Sequence, residues 1–154
     1  MRRVADLLRA LFLSPELLCA VLPFAVLHYA PSIGDVLLKP MRESLGFGLA
    51  AAALPIGMLA FNYKESLELL SPSGSAKVLL EWPDYPMLKN RVLIALGWCT
   101  GGLVACALSV WMIAADFQAY MAIALLAAGV LSSGAATATI GLARFRLREV
   151  LAHP

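Results

Sequence analysis

The chain is poor in charge. Asp, Glu, Lys and Arg make up 14% of its 154 residues, against about 25% in a typical soluble domain. A net charge of +2 gives no footprint for nucleic acid, which needs a basic patch or stripe. Cysteine is scarce as well. Cys19, Cys99 and Cys106 all sit in apolar runs, and no C-x-x-C pair occurs. An odd count without motif spacing argues against a disulfide framework or a zinc site. Cys99 and Cys106 are seven apart, about 10 Å along a helix, which is too far for a disulfide. They read as small buried apolar groups.

Histidine is nearly absent. His28 and His153 fall at opposite sides of the expected topology, so no bis-histidine haem site can form between them. No nucleophile with a base, no metal-spaced cluster and no phosphate loop is present. Gly46-Phe47-Gly48 stands without the rest of a nucleotide fingerprint. The reading is therefore not an enzyme, with no cofactor and no metal.

What the chain has in excess is apolar surface, at 61% of residues. Apolar runs long enough to cross hydrocarbon are read as spans. They predict an all-α membrane protein with four transmembrane helices at about 15–30, 45–61, 92–115 and 120–143. The whole chain forms one membrane domain. Residues 1–13 predict an amphipathic interfacial helix, with Val4, Leu7, Leu8, Leu11 and Phe12 on one stripe and Arg2, Arg3 and Arg9 mostly off it. The His28-Tyr29-Ala30 ending lacks the small residue expected before a signal-peptide cut, so this segment is read as retained.

Local chemistry sets the breaks. Ser14-Pro15-Glu16 predicts a helix start, with a capping hydroxyl, a proline at the first helical position and an acid at the positive end of the dipole. Pro23 predicts a bend. Residues 31–44 predict a polar connector whose Val36-Leu37-Leu38 dips into the interface. The second helix is expected to continue past the bilayer on Tyr63, Leu67 and Leu70, with Lys64 and Glu68 paired four apart. Ser71-Pro72-Ser73-Gly74 stops it, Asp84 caps the third span, and Asp116-Phe117-Gln118 makes a tight turn.

Ten of the twelve Lys and Arg residues fall on one side of this scheme: the N-terminal segment, the loop at 63–91 and Arg144, Arg146 and Arg148. Lys39 and Arg42 fall on the other. The positive-inside rule puts both termini and the loop in the cytoplasm, giving an N-in, C-in protein of the cell inner membrane. Tyr29, Trp111 and Tyr120 predict the outer aromatic belt; Tyr63, Trp82 and Tyr85 the inner one.

Two surfaces carry the functional expectation. Gly97, Gly101, Ala105 and Ser109 on the third span, and Gly129, Ser133, Thr137 and Gly141 on the fourth, predict close packing of these two helices. Ala128, Ser132 and Ala136, with the Gly- and Ala-rich start of the second span, would then be left over for a homo-oligomer. The loop at 63–91 is charge-balanced, so it is not a polybasic lipid patch. Leu79, Trp82, Asp84 and Tyr85 predict a docking surface for a cytoplasmic protein, stiffened by Pro83 and Pro86. The leading expectation is a non-catalytic membrane subunit, an anchor or sensor of the kind used in envelope-stress or phage-defence systems. The alternative is a small oligomeric channel or transporter. Its hydroxyls would be Ser132, Ser133, Thr137, Thr139, Thr100 and Ser109, with Asp35 or Asp116 at an outer mouth. Glu16 is the acid to consider for transport. Four spans with an acid in the first is also the plan of the small multidrug-resistance exporters. Here the acid follows Ser-Pro at a helix start, which predicts a place at the inner headgroup level.

Overall fold

The structure is a computed structural model that describes residues 14–70 and 85–152. The expected interfacial helix at 1–13 and the docking residues Leu79, Trp82 and Asp84 lie outside the described residues.

Five helices follow in order: α1 (Pro15–Tyr29), α2 (Pro31–Glu43), α3 (Leu45–Leu70), α4 (Tyr85–Ala114) and α5 (Ala119–Ala152). No strand occurs among the described residues. Three helices, α3, α4 and α5, are each long and apolar enough to cross a membrane. Helices α1 and α2 pass the same test only together, as a pair bent by 105° that forms either a broken span or a re-entrant loop, so the described helices give three spans, or four with this pair. These properties fit a membrane-embedded protein.

Helix α1 starts as its sequence dictates. The Ser14 side chain accepts the Leu17 N–H at 3.2 Å and Pro15 takes the first turn. Pro23 lies inside the helix and is buried without interrupting it. At 15 residues, α1 is roughly 22 Å long, short of the ~30 Å of hydrocarbon in a typical bilayer.

The expected connector at 31–44 is corrected: residues 31–43 form helix α2. Pro31 suits a first helical turn, and its side chains sort into faces at helical spacing. Gly34 and Met41 are buried, Ile33, Val36 and Leu37 form an exposed apolar strip, and Asp35, Lys39, Arg42 and Glu43 supply the charge. The polar composition masked the helix because the segment is amphipathic, not because it is irregular.

The three long helices outrun the expected spans. Helix α3 reaches Leu70 as expected, but Tyr63 and Leu67, the face that predicted it, are exposed, and Asn62, Glu65, Ser66 and Leu69 pack instead. Helix α4 begins at Tyr85, seven residues before the expected start of its span. Helix α5 runs through all three arginines to Ala152. Pro86 sits in the first turn of α4, where a missing N–H costs nothing.

Helix α5 is the hub. It packs on α1, α3 and α4, and α3 also packs on α4. Helix α2 lies across one end against α1, α3 and α5. The α4 residues buried in the bundle are Val92, Ala95, Cys99, Gly102, Cys106, Ser109 and Met112, recurring at three and four. Steps of three and four keep these residues on one face of the helix. The expected stripe kept a strict spacing of four, which drifts around a 3.6-residue helix. Gly97 and Gly101 have therefore rotated off the seam, and a Cβ on either would meet nothing within 4 Å. Gly141 is open in the same way.

The close approach occurs instead at Gly102 and Gly129. A Cβ at Gly102 would stand 2.6 Å from the Gly129 carbonyl oxygen, and one at Gly129 would strike the Gly102 carbonyl and the Cys106 sulphur. Gly129 and Ser133 thus pack against α4 as expected, while Ala105 is half-buried beside the seam. Ala128, Ser132 and Ala136 are buried within the protomer, so they are not left over.

The α4–α5 turn is tight, as the sequence predicts. The Phe117 N–H bonds the Met112 carbonyl at 2.9 Å and the Asp116 N–H bonds Ile113 at 3.1 Å. This is the paired helix-ending pattern that usually takes glycine in the left-handed conformation. Here Asp116 takes it, with φ at 48°, a conformation aspartate tolerates better than most side chains.

Candidate functional site: two polar clusters on opposite flanks of α5

Most buried side chains are apolar, so the exceptions carry information. Glu16, Asn62, Glu65, Ser66, Ser109, Ser132 and Ser133 are buried polar residues. They gather chiefly toward the end where Arg144, Arg146 and Arg148 emerge, here called the basic end.

The first cluster joins α3, α4 and α5. The Asn62 amide donates to the Thr137 hydroxyl at 3.0 Å and leans on the Cys99 sulphur at 3.5 Å. The Thr137 hydroxyl donates in turn to the Ser133 carbonyl at 2.9 Å. Two turns nearer the basic end, Arg144 reaches α3. One guanidinium nitrogen meets Glu65 and the other meets Glu68 at 3.1 Å. Glu68, expected to pair with Lys64, meets Arg144 instead. Tyr85 closes the base: its hydroxyl lies 3.3 Å from both the Leu69 and Leu70 carbonyls. It thereby donates to the last turn of α3, where carbonyls lack partners within the helix. Of the four expected docking residues, Tyr85 is the one described. It is half-buried, at the root of segment 71–84.

The second cluster joins α1 to α5. The Thr139 hydroxyl donates to Glu16 Oε1. Glu16 is 1% exposed, and its Oε2 has no hydrogen-bond partner. Glu16 does lie in the first turn of α1. There it is enclosed at the contact between α1 and α5. Thr139 precedes Arg144 by five residues, roughly 7.5 Å along the helix.

Thr137 and Thr139 are two residues apart, so they point about 200° apart around α5. The clusters therefore occupy opposite flanks of one helix. The hydroxyls expected to line a pore do not share a lumen within one protomer. Thr137 serves Asn62, Thr139 serves Glu16, Ser133 lies against Gly102, and the exposed Thr100 bonds its own helix at the Leu96 carbonyl.

The opposite end is held by surface contacts. Arg42 meets Asp116 at 2.9 Å, with both side chains largely exposed. The Tyr120 hydroxyl donates to Asp35. Both acids proposed for an outer mouth are thus engaged. A shallow apolar groove of about 300 Å³ lies here, lined by Phe24, Leu27, His28, Pro31, Tyr120, Met121 and Ala124. His28 is exposed and edge-on to Tyr29. Among the described residues no group of three metal-ligating side chains comes together.

Asn62 and Glu65 lie past residue 61, where hydropathy ends the second span, so the apolar run does not mark them. The signal was present: Pro55, Asn62 and Leu69 recur every seventh residue, and Met58, Glu65 and Ser66 fall between them. One stripe therefore carries both apolar and polar side chains onto the same packed face.

No protein-family model, no curated protein and no solved structure matches the chain.

Proposed function

We propose that the chain is a non-catalytic, multi-pass subunit of a cell inner membrane that associates with further copies of itself and presents segment 71–84 to a cytoplasmic protein. The observation that carries this reading is the clamp at the root of that segment. Arg144 ties α5 to Glu65 and Glu68, and Tyr85 ties α4 to the last carbonyls of α3. The two helix ends that flank segment 71–84 are thus held together, which supports reading Leu79, Trp82 and Asp84 as a docking surface. The excess of Lys and Arg on this side supports a cytoplasmic location for it and for both termini. Self-association is supported by Gly57, Gly97 and Gly101, whose open faces let a second backbone approach closely in lipid.

Single cysteines at positions 73 and 152 should label from the same side of sealed vesicles; labelling from opposite sides would end the topology. Leu79→Ala with Trp82→Ala should lose a crosslinked partner that wild type retains. Recovery of the same partner by both would remove the docking role.

A channel or transporter is the second reading, favoured by the buried Glu16 at the α1–α5 contact. Ion flux into liposomes that Glu16→Gln abolishes would support it.

A further inference from the structure

Two carboxylates are buried near the basic end, and one of them has its counter-charge within the bundle. Glu65 takes the Arg144 guanidinium. Glu16 forms no ion pair among the described residues: Oε1 has the Thr139 hydroxyl and Oε2 is bare.

The charged and titratable groups on the elements packed against α1 do not close this gap. On α5, Arg144 is committed to Glu65 and Glu68, and Arg146, Arg148 and Glu149 are exposed beyond it. On α2, Asp35, Lys39, Arg42 and Glu43 lie at the far end with Asp116 and Tyr120. On α1 itself, Cys19 is a half-buried thiol and His28 sits at the opposite terminus. The N-terminus of α1 offers about half a positive charge at most, and the Ser14 hydroxyl already occupies the Leu17 N–H. A desolvated carboxylate left unpaired is strongly disfavoured, and it must be neutralised.

We propose that Glu16 is a cation-binding site, whose bare oxygen holds a proton or a small alkali cation taken from the basic-end side. Thr139 sets the geometry. By donating to Oε1 it turns Oε2 away from α5's hydroxyl and leaves it as the acceptor. The site lies at the end of the bundle: Ser14 and Glu16 open the helix there, both buried, and Pro15 between them is exposed. The inference requires binding and not flux. An occupied site in a protein that moves no ions would leave it standing and remove only the transporter reading.

The test uses the full chain in micelles and in lipid vesicles. Dicyclohexylcarbodiimide forms a stable adduct with a protonated carboxyl in apolar surroundings, and peptide mass spectrometry locates it. In alkali-free buffer an adduct is expected at Glu16, fading as pH rises and lost in Glu16→Gln. Suppression by Na+ or K+ at fixed pH would add an alkali cation to the ligands; no suppression would identify the proton alone. Both support the site. Absence of the adduct at every pH in alkali-free buffer overturns it. So does an adduct that appears only after Arg2, Arg3 and Arg9 are replaced by Gln, because the counter-charge then comes from the chain. As a second measurement, the unfolding midpoint of wild type should shift with pH or alkali concentration, and Glu16→Gln should stay folded and lose that shift. Equal shifts in both proteins also overturn the proposal.

Discussion

Asn62 and Thr137 stand 75 positions apart in the chain and meet at 3.0 Å. Their bond ties α3 to α5 inside an apolar interface; the Cys99 sulphur of α4 lies 3.5 Å from the same Asn62 nitrogen, and Asn62 Oδ1 is buried without a hydrogen-bond partner. Where lipid supplies no hydrophobic drive between helices, such contacts and close backbone packing must do the joining.

Asn62→Ala should therefore lower stability by about 1 kcal/mol, within the range found for interhelical hydrogen bonds in membranes. A double-mutant cycle with Thr137→Val isolates the pair from the packing each side chain also makes. The expected coupling is about 0.5–1.5 kcal/mol, read from reversible unfolding in mixed micelles. Additive single effects would mean that the two groups are neighbours without a bond.

Gly101 and Gly102 are adjacent in sequence and should respond in opposite ways. Gly102→Ala places a methyl 2.6 Å from the Gly129 carbonyl, a rigid neighbour that cannot step aside. Overpacking of this kind costs about 1–3 kcal/mol, and here α4 and α5 must separate. Gly101→Ala enters open space and should be neutral or gain up to about 1 kcal/mol from helix propensity. Unfolding midpoints of the two variants test this directly. Oligomeric state adds a second reading: Gly97→Leu with Gly101→Leu should leave the protomer folded and shift native mass spectra toward monomer.

The helices were legible from sequence wherever a long apolar run stood between turn signals. Ser14-Pro15 and Asp116-Phe117-Gln118 marked breaks that the backbone obeys, because capping and left-handed turns depend on local chemistry. Two features were not legible. Helix α2 was hidden because its charges sit on one face of an amphipathic segment, and composition averages over faces. The buried role of Asn62 and Glu65 was hidden because a hydropathy boundary is not a helix boundary. Polar residues continue the packed face where neighbouring helices extend beside them. Facing was the hardest to read: Gly97, Gly101, Gly102 and Gly129 are all glycines in apolar runs, and only the three-dimensional seam separates the last two from the first two.

Helix α2 offers a contrast between visible and effective contacts. Its ion pair, Arg42 with Asp116, is exposed on both sides, and exposed pairs contribute about 0–1 kcal/mol. Met41 is 2% exposed against the start of α3 and the Cys106 cluster. Arg42→Ala should lower stability by less than about 1 kcal/mol, with an effect that shrinks in high salt. Met41→Ala should cost about 2–5 kcal/mol, as expected for emptying a packed site. If Arg42→Ala proves the more damaging, α2 is held by charge rather than by packing.

The clamp at Arg144 gives the sharpest sign test. Arg144→Gln leaves Glu65 buried with its counter-charge gone, and Glu68 loses a partner but stays in solvent. Removing one member of a buried pair costs about 3–5 kcal/mol; Arg144 is one-third exposed, so roughly 2–3 kcal/mol is expected here. Glu65→Gln keeps the volume and removes the stranded charge. Added to Arg144→Gln it should restore most of the loss, because an uncompensated charge is worse than no charge at all. Glu68→Gln should not restore it, since the exposed Glu68 carboxylate needs no partner. Unfolding midpoints of the four proteins decide between two accounts. A double variant more stable than Arg144→Gln alone means that Arg144 chiefly neutralises Glu65. A double variant that loses still more means that the clamp acts as a hydrogen-bonded brace between α3 and α5, independent of charge.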